Sequence, residues 1–306
     1  MRQNKGFRFF SITTVWIWLV VCALLPNIAL FLVSFLDRQD LNFYIPMLTL
    51  DNYRRLFDPQ FVSILVKSLF IAGFSTLTCL LVGYPFAYFM ARSPKKLRPW
   101  LMLLVIIPFW TNSLVRTYAI YTILQNKGLL NKLLNLLGVV EGNFSLMYTD
   151  FSVFLGLTYT LLPFMILPLY ASIEKLDLRL LDAAKDLGAG PVRSFIHITL
   201  PLTLPGIAAG SILVFLPALS LFYVPEILGG IDYRLLGSFI QSNFGKGSDW
   251  PLGAAASSVL TILLILLALF YRAANKRSAV DGVVPVPGGR KKQTRKLRGQ
   301  KEGASA

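Results

Sequence analysis

The sequence predicts an all-α polytopic membrane protein with six transmembrane helices and both termini in the cytoplasm. Three observations carry that expectation. Hydrophobic residues make up 55% of the 306 residues, charged residues only 15%, and mean hydropathy is +0.61, whereas a soluble domain carries about 25% charge. Six stretches supply the ~20 mostly apolar residues that a spanning helix needs. Basic residues gather in alternate connections between those stretches, as they do on the cytoplasmic side of membrane proteins. The composition excludes a disordered chain, a fibrous repeat and a small disulfide scaffold. Cys22 and Cys79, the two cysteines, are too few for a disulfide framework, a cysteine zinc site or an iron–sulfur cluster.

The first span is Ile12–Leu36. Arg2, Lys5 and Arg8 precede it, and Val21-Cys22-Ala23 resembles a leader cleavage site. The apolar run nevertheless continues to Leu36, beyond the about 7–15 residues of a leader core, so it is expected to remain as an uncleaved span. The others are Ser68–Met90, Trp100–Tyr121, Phe151–Tyr170, Leu204–Leu228 and Leu252–Tyr271. Pro26, Pro108, Pro163 and Pro217 fall inside spans, which is tolerated where neighbouring groups satisfy the freed carbonyls.

Charge orients the bundle. The formal net charge is +15. Its basic residues lie mainly in residues 1–11, in the connection ARSPKKLRP between spans two and three, in the connection after span four, and in the tail 272–306. The opposite connections are richer in acid, with Asp37, Asp40, Asp51 and Asp58 in one and Glu226, Asp232 and Asp249 in another. The charge is thus a topology signal and a contact for anionic headgroups, with no nucleic acid expected as partner. The chain divides into a cytoplasmic segment 1–11, a permeation domain 12–271 with a cytoplasmic loop 171–201, and a basic tail 272–306 expected to be disordered.

No catalytic constellation accompanies these spans. His197 is the one histidine, and no metal-binding His/Cys/Asp cluster or nucleophile elbow surrounds it. Gly245-Lys246-Gly247-Ser248 resembles a fragment of a phosphate loop but lacks the upstream glycine. No catalytic residue, resident metal or cofactor is expected in this chain.

The loop 171–201, ASIEKLDLRLLDAAKDLGAGPVRSFIHITLP, is the longest polar connection on the cytoplasmic side. Leu176, Leu178, Leu181, Ala184 and Leu187 form an irregular apolar face at helical spacing. Gly188-Ala189-Gly190-Pro191 stops that helix, and Pro191 is suited to begin a second one. Ala183 and Ala184 present no bulk, so another protein's groove would approach the backbone closely. The loop's acidic and basic residues balance. A kinked, neutral, amphipathic element suits docking into a groove.

Asp182-Ala183-Ala184, Gly188 and Ile198-Thr199-Leu200-Pro201, at their spacing, resemble the EAA loop of permease subunits of bacterial ABC importers. That family usually has Glu where this chain has the shorter Asp182. The stretches GYPFAYFMA, IPFWTNSLVRTYA and LPALSLFYVPEILGG are similar to permeases of spermidine/putrescine importers. The resemblance runs through all six spans and stops short of the tail. It implies the type I (MetI-like) importer fold and a function in ATP-driven polyamine import by alternating access. It also implies a heterodimer with a second homologous permease, two copies of an ATP-binding subunit that carries the ATP and magnesium, an extracytoplasmic polyamine-binding protein, and location in the bacterial inner membrane. Coupling to the ATP-binding subunit would run through Asp182, Ala183, Ala184, Gly188 and Pro191. Related permeases for thiamine, ferric iron or an anion share the loop and stay open as alternatives; a membrane-embedded enzyme using His197 is a remote one.

A polycation requires acids, carbonyls and aromatic faces along its path, and polar groups at membrane depth are costly enough to mark function. Two places meet this description: Trp110 and Asn112 after Pro108, and Tyr223 and Glu226 after Pro217. Trp110 and Tyr223 read either as walls of the pathway or as an interfacial aromatic belt. Glu226 reads either as the cation-attracting group or as a solvated acid facing the binding protein. Arg116 and Lys67 are expected to reach the interface or to pair with an acid.

Overall fold

The computed structural model describes residues 5–37, 45–138, 146–230, 232–245 and 249–280. The expected disordered tail and the Gly-Lys-Gly-Ser stretch lie wholly or mostly outside them. Helix α1 (Lys5–Val33) is followed by a short antiparallel pair, β1 (Leu36–Asp37) with β2 (Ile45–Leu48), and by α2 (Asp51–Arg55). α1 is apolar on every side, and its spanning window buries nothing against the rest of the chain. Such a helix suits lipid or another apolar surface all round.

Helix α3 (Pro59–Arg92) starts where Asp58 accepts the Gln60 amide at 3.1 Å, with Pro59 at the first helical position; both are strong start signals. Its 34 residues extend beyond the span expected from hydropathy, because a helix continues into water while its apolar window reports only the lipid-embedded part. Helix α7 (Asp150–Glu174) begins with reciprocal bonds between Thr149 and Ser152, a capping box. Helix α13 (Trp250–Val280) is the last among the described residues.

Span three is not one straight helix. α4 (Arg98–Trp110) and α5 (Ser113–Leu124) meet at a break between Trp110 and Ser113, and the segments on either side are bent by 91°; α6 (Leu129–Leu136) follows. Asn112 causes the restart: its Oδ1 accepts the Leu114 amide at 2.8 Å. Five helices are long and apolar enough to span, and the bent pair makes six when counted as one.

Two further expectations are corrected at the fifth span. The loop helices are α8 (Arg179–Asp186) and α9 (Pro191–Ser194), but α9 runs without interruption through a π turn (Phe195–Thr199) into α10 (Leu200–Ser220). The second loop helix is therefore the first turn of span five. Pro201 lacks the amide that an α-helical turn needs there, and the wider π turn immediately before it carries the chain past that position. At its other end α10 stops at Ser220, Leu221 turns extended with ψ 123°, and α11 (Tyr223–Gly229) starts anew. In a continuous helix the Pro225 ring would strike the Leu221 carbonyl. α12 (Leu236–Phe244) lies between α11 and α13.

The core is the packing of α3, α7 and α10, with Met90, Leu161, Met165, Leu169 and Val214 buried among them. Small residues permit the close approach, as in membrane helix pairs generally. A Cβ on Gly206 would collide with the Ser172 side chain and lie 2.9 Å from the Pro168 carbonyl oxygen. Polar ties join α3 to α10 and to α12. The Tyr84 and Thr203 hydroxyls are 3.0 Å apart, and the Leu236 amide donates to Ser68 Oγ at 2.8 Å.

Candidate functional site

The loop between α7 and α10 folds into a short, sharply stopped helix. Asp177 Oδ1 accepts the Arg179 amide at 3.0 Å and opens α8. At its end Gly188 adopts φ +79°. The Gly188 amide donates to the Lys185 carbonyl at 2.8 Å, and the Ala189 amide to the Ala184 carbonyl at 2.9 Å. These two bonds are a Schellman stop, which requires the left-handed residue that glycine supplies at low cost.

The exposed side of the loop carries Asp182, Ala183, Leu187 and Val192, with Leu187 88% exposed. Among the described residues Asp182 is paired only to Lys185, at 3.3 Å, and its side chain is 68% exposed. Pro191 is also exposed. Ala184 departs from expectation: it is buried within the chain, because one residue of helix rotation separates it from Ala183. Of the two small residues, only Ala183 is presented outward.

Behind α8 lies a cleft of about 550 Å³, bounded by Tyr88 and Arg92 of α3, Leu181, Asp182 and Lys185 of α8, and Phe195. The Arg92 guanidinium stands 5.1 Å from the Tyr88 ring centre, and its Nε and Nη2 make no hydrogen bond among the described residues. Ser194 Oγ, on the same cleft, likewise has no partner among the described residues. Sequence reasoning read Arg92 only as a topology charge. No local pattern distinguishes it; α8 must fold back beside α3 before the two share a wall.

The other candidates lie at the two helix breaks. Trp110 ends α4 and is 78% exposed. Asn112 is exposed, but its carbonyl oxygen is committed to capping α5. Among the described residues Arg116 finds no acid: its Nη1 donates to the Pro108 carbonyl at 3.0 Å, with the guanidinium 5.6 Å from the Phe109 ring centre. That carbonyl is free because α4 ends two residues later, and Thr111 Oγ1 donates to it as well. Tyr223 is half-buried, its ring 5.9 Å from that of Phe222. Glu226 is exposed on the first turn of α11. α11 packs against α5 and α7, so the two chain segments that carry the candidates are neighbours.

Lys67 does pair with an acid. Its Nζ lies 2.9 Å from Asp150 Oδ1 and 3.9 Å from the centre of the Tyr233 ring, and the Tyr233 hydroxyl donates to Asp150 Oδ1 at 2.5 Å. Burial, then the Asp150 carboxylate, push the Tyr233 phenol well above its ordinary pKa. His197 is exposed, with Nδ1 3.0 Å from the Arg193 carbonyl. Among the described residues no three His, Cys, Asp or Glu side chains are grouped to hold a metal.

Residues 83–280 match the family model described as binding-protein-dependent transport system inner membrane component. The spermidine/putrescine transport system permease protein PotB of Escherichia coli is 49% identical over 87% of this chain and 96% of its own length. The protein of that name from Salmonella typhimurium is 48% identical over 90% of this chain and 96% of its own. A solved bacterial ABC transporter involved in import of the acidic polysaccharide alginate superposes with TM-score 0.74, covering 90% of this chain and 96% of that one, at 18% identity. At that identity the likeness concerns the fold.

Proposed function

Because the chain belongs to the family of binding-protein-dependent transport system inner membrane components, a family of transport permeases rather than enzymes, we propose that it is the permease subunit through which an ATP-driven importer moves polyamines into the cytoplasm. The observation that carries the substrate class is the 46–49% identity to the spermidine/putrescine permeases over nearly their whole length. The energy enters through α8. Its exposed Asp182, Ala183 and Leu187 form the surface that a separate ATP-binding subunit grips, with Asp182 facing a basic group of that subunit. ATP and magnesium stay in that partner.

The transport cycle needs two arrangements of the bundle, and ATP must favour one of them for any shift to occur. Since α9, the π turn and α10 are continuous, a pull on the loop reaches span five directly. Gly188 and Pro191 are the hinges between α8, which moves with the partner, and span five, and the π turn before Pro201 is the compliant point. The full assembly contains two ATP-binding subunits, a second homologous permease and an extracytoplasmic polyamine-binding protein, with both termini of this chain in the cytoplasm. Trp110, Asn112, Tyr223 and Glu226 contribute to the substrate pathway, Glu226 as the cation-attracting carboxylate.

The test is uptake of radiolabelled putrescine and spermidine into proteoliposomes holding the whole assembly. ATP-dependent accumulation of at least one is expected. No accumulation of either, in an assembly whose ATPase responds to the binding protein, would assign the permease to another solute.

A further inference from the structure

We propose that Asp150 and Tyr233 form a subsite for a primary ammonium group, and that in this structure the ammonium of Lys67 occupies it. The proposal rests on the polyamine reading and adds where one end of the substrate is held.

A cation is seated here with the contacts an alkylammonium requires. The Lys67 ammonium has a carboxylate oxygen at 2.9 Å on one side and an aromatic face at 3.9 Å on another. Carboxylate and ring together stabilise such a cation more than either does alone. The Tyr233 hydroxyl, by donating to Asp150 Oδ1, fixes carboxylate and ring as one unit. The groups come from three places in the chain: α3, the start of α7, and the connection between α11 and α12.

The seat is open to solutes. Lys67 is 41% and Asp150 64% exposed in their side chains, so the pair is far from a sealed structural ion pair. Lys67 stands 25 residues before Arg92 on one helix, roughly 37 Å away at 1.5 Å per residue. That exceeds the ~30 Å hydrocarbon core. The subsite therefore lies at the membrane face opposite the α8 cleft, where an imported solute arrives.

The chemistry of the occupant matches the substrate class. A lysine side chain is an aminobutyl group, and putrescine and one arm of spermidine end in that same group. Exchanging one ammonium for another keeps the carboxylate and π contacts, and the released Lys67 returns to water it already half occupies. The net affinity is low, as a transit site needs, since a permeant must enter and also leave. Lys67, tethered beside the site, competes with the substrate and promotes its departure.

Lys67→Met, which keeps the stem and removes the charge, separates this from a purely structural ion pair. In proteoliposomes with the whole assembly, its KM for putrescine should fall by roughly tenfold, the ratio of a tethered competitor's about millimolar effective concentration to a transit-site dissociation constant of about 0.1 mM. Asp150→Asn should raise KM with kcat little changed, and Tyr233→Leu should do so too. Lys67→Gln, which retains a donor toward Asp150, carries the same expectation as Lys67→Met and serves if the methionine variant assembles poorly. An unchanged or higher KM in a lysine variant with normal ATPase activity overturns the proposal while leaving polyamine import standing. No ATP-dependent uptake of either amine by the wild type removes both readings together.

Discussion

The Ala189 amide reaches back across Gly188 to the Ala184 carbonyl at 2.9 Å, so α8 ends in a bond that a left-handed Gly188 permits. A Cβ at Gly188 would meet nothing within 4 Å. The cost of a side chain there is therefore backbone strain alone, about 1–2 kcal/mol for a non-glycine residue in that region.

Gly188→Ala is predicted to loosen the end of α8 without disturbing the bundle. Uptake and stimulated ATPase should fall several-fold while expression and detergent stability stay at wild-type levels. Gly190 also has open space around it but an ordinary backbone, φ −68°, so Gly190→Ala should transport normally. Equal effects of the two substitutions, in paired uptake assays, would show that the stop is not what matters.

The pair between Asp182 and Lys185 is exposed on both sides and contributes no more than about 1 kcal/mol. It does not withhold the carboxylate from a partner. Asp182→Asn should weaken co-purification of the ATP-binding subunit by roughly tenfold, the scale of one lost charge-assisted bond, whereas Lys185→Ala should leave it unchanged or tighter. Affinity capture at two salt concentrations measures both, and the Asp182 effect should shrink at high salt.

Gly206→Val should act on assembly of the fold itself. The new side chain would drive into Ser172 and the Pro168 carbonyl of α7. Overpacking of this kind costs about 1–3 kcal/mol or more, and here a main-chain atom blocks relaxation. The variant is expected to lose its sharp gel-filtration peak and its thermal transition, in contrast to Gly188→Ala.

Glu226→Gln tests the acid on α11. Removing one charge from a path for a polycation should raise KM for spermidine more than for putrescine, since spermidine carries the extra ammonium. Kinetics for both amines in the same preparation give that ratio, and an identical ratio to wild type would place Glu226 outside the path.

Local chemistry was legible wherever it acted over a few residues. The six apolar stretches, the stop at Gly188-Ala189-Gly190-Pro191 and the start at Pro191 are all properties of neighbouring side chains and backbone. The positions of the breaks were less legible. Pro108 and Pro217 marked the right neighbourhoods, yet the helices end at Trp110 and Ser220, because the capping of Asn112 and the ring of Pro225 set the actual boundaries. A hydropathy window averages over such residues and joins what they separate.

Which side chains meet across the chain was beyond any such reading. The sequence by itself determined a membrane bundle, its family and the stopped helix in the loop between α7 and α10, since apolar length, charge placement and helix-stop chemistry are written in consecutive residues. Only the tertiary structure decided that Ala184 turns inward, that Arg92 shares a cleft with Asp182, and that Lys67 lies between Asp150 and Tyr233. Those partners are separated by more than eighty residues in the last two cases, and no local periodicity encodes a contact that exists only once α3, α7 and α10 have packed.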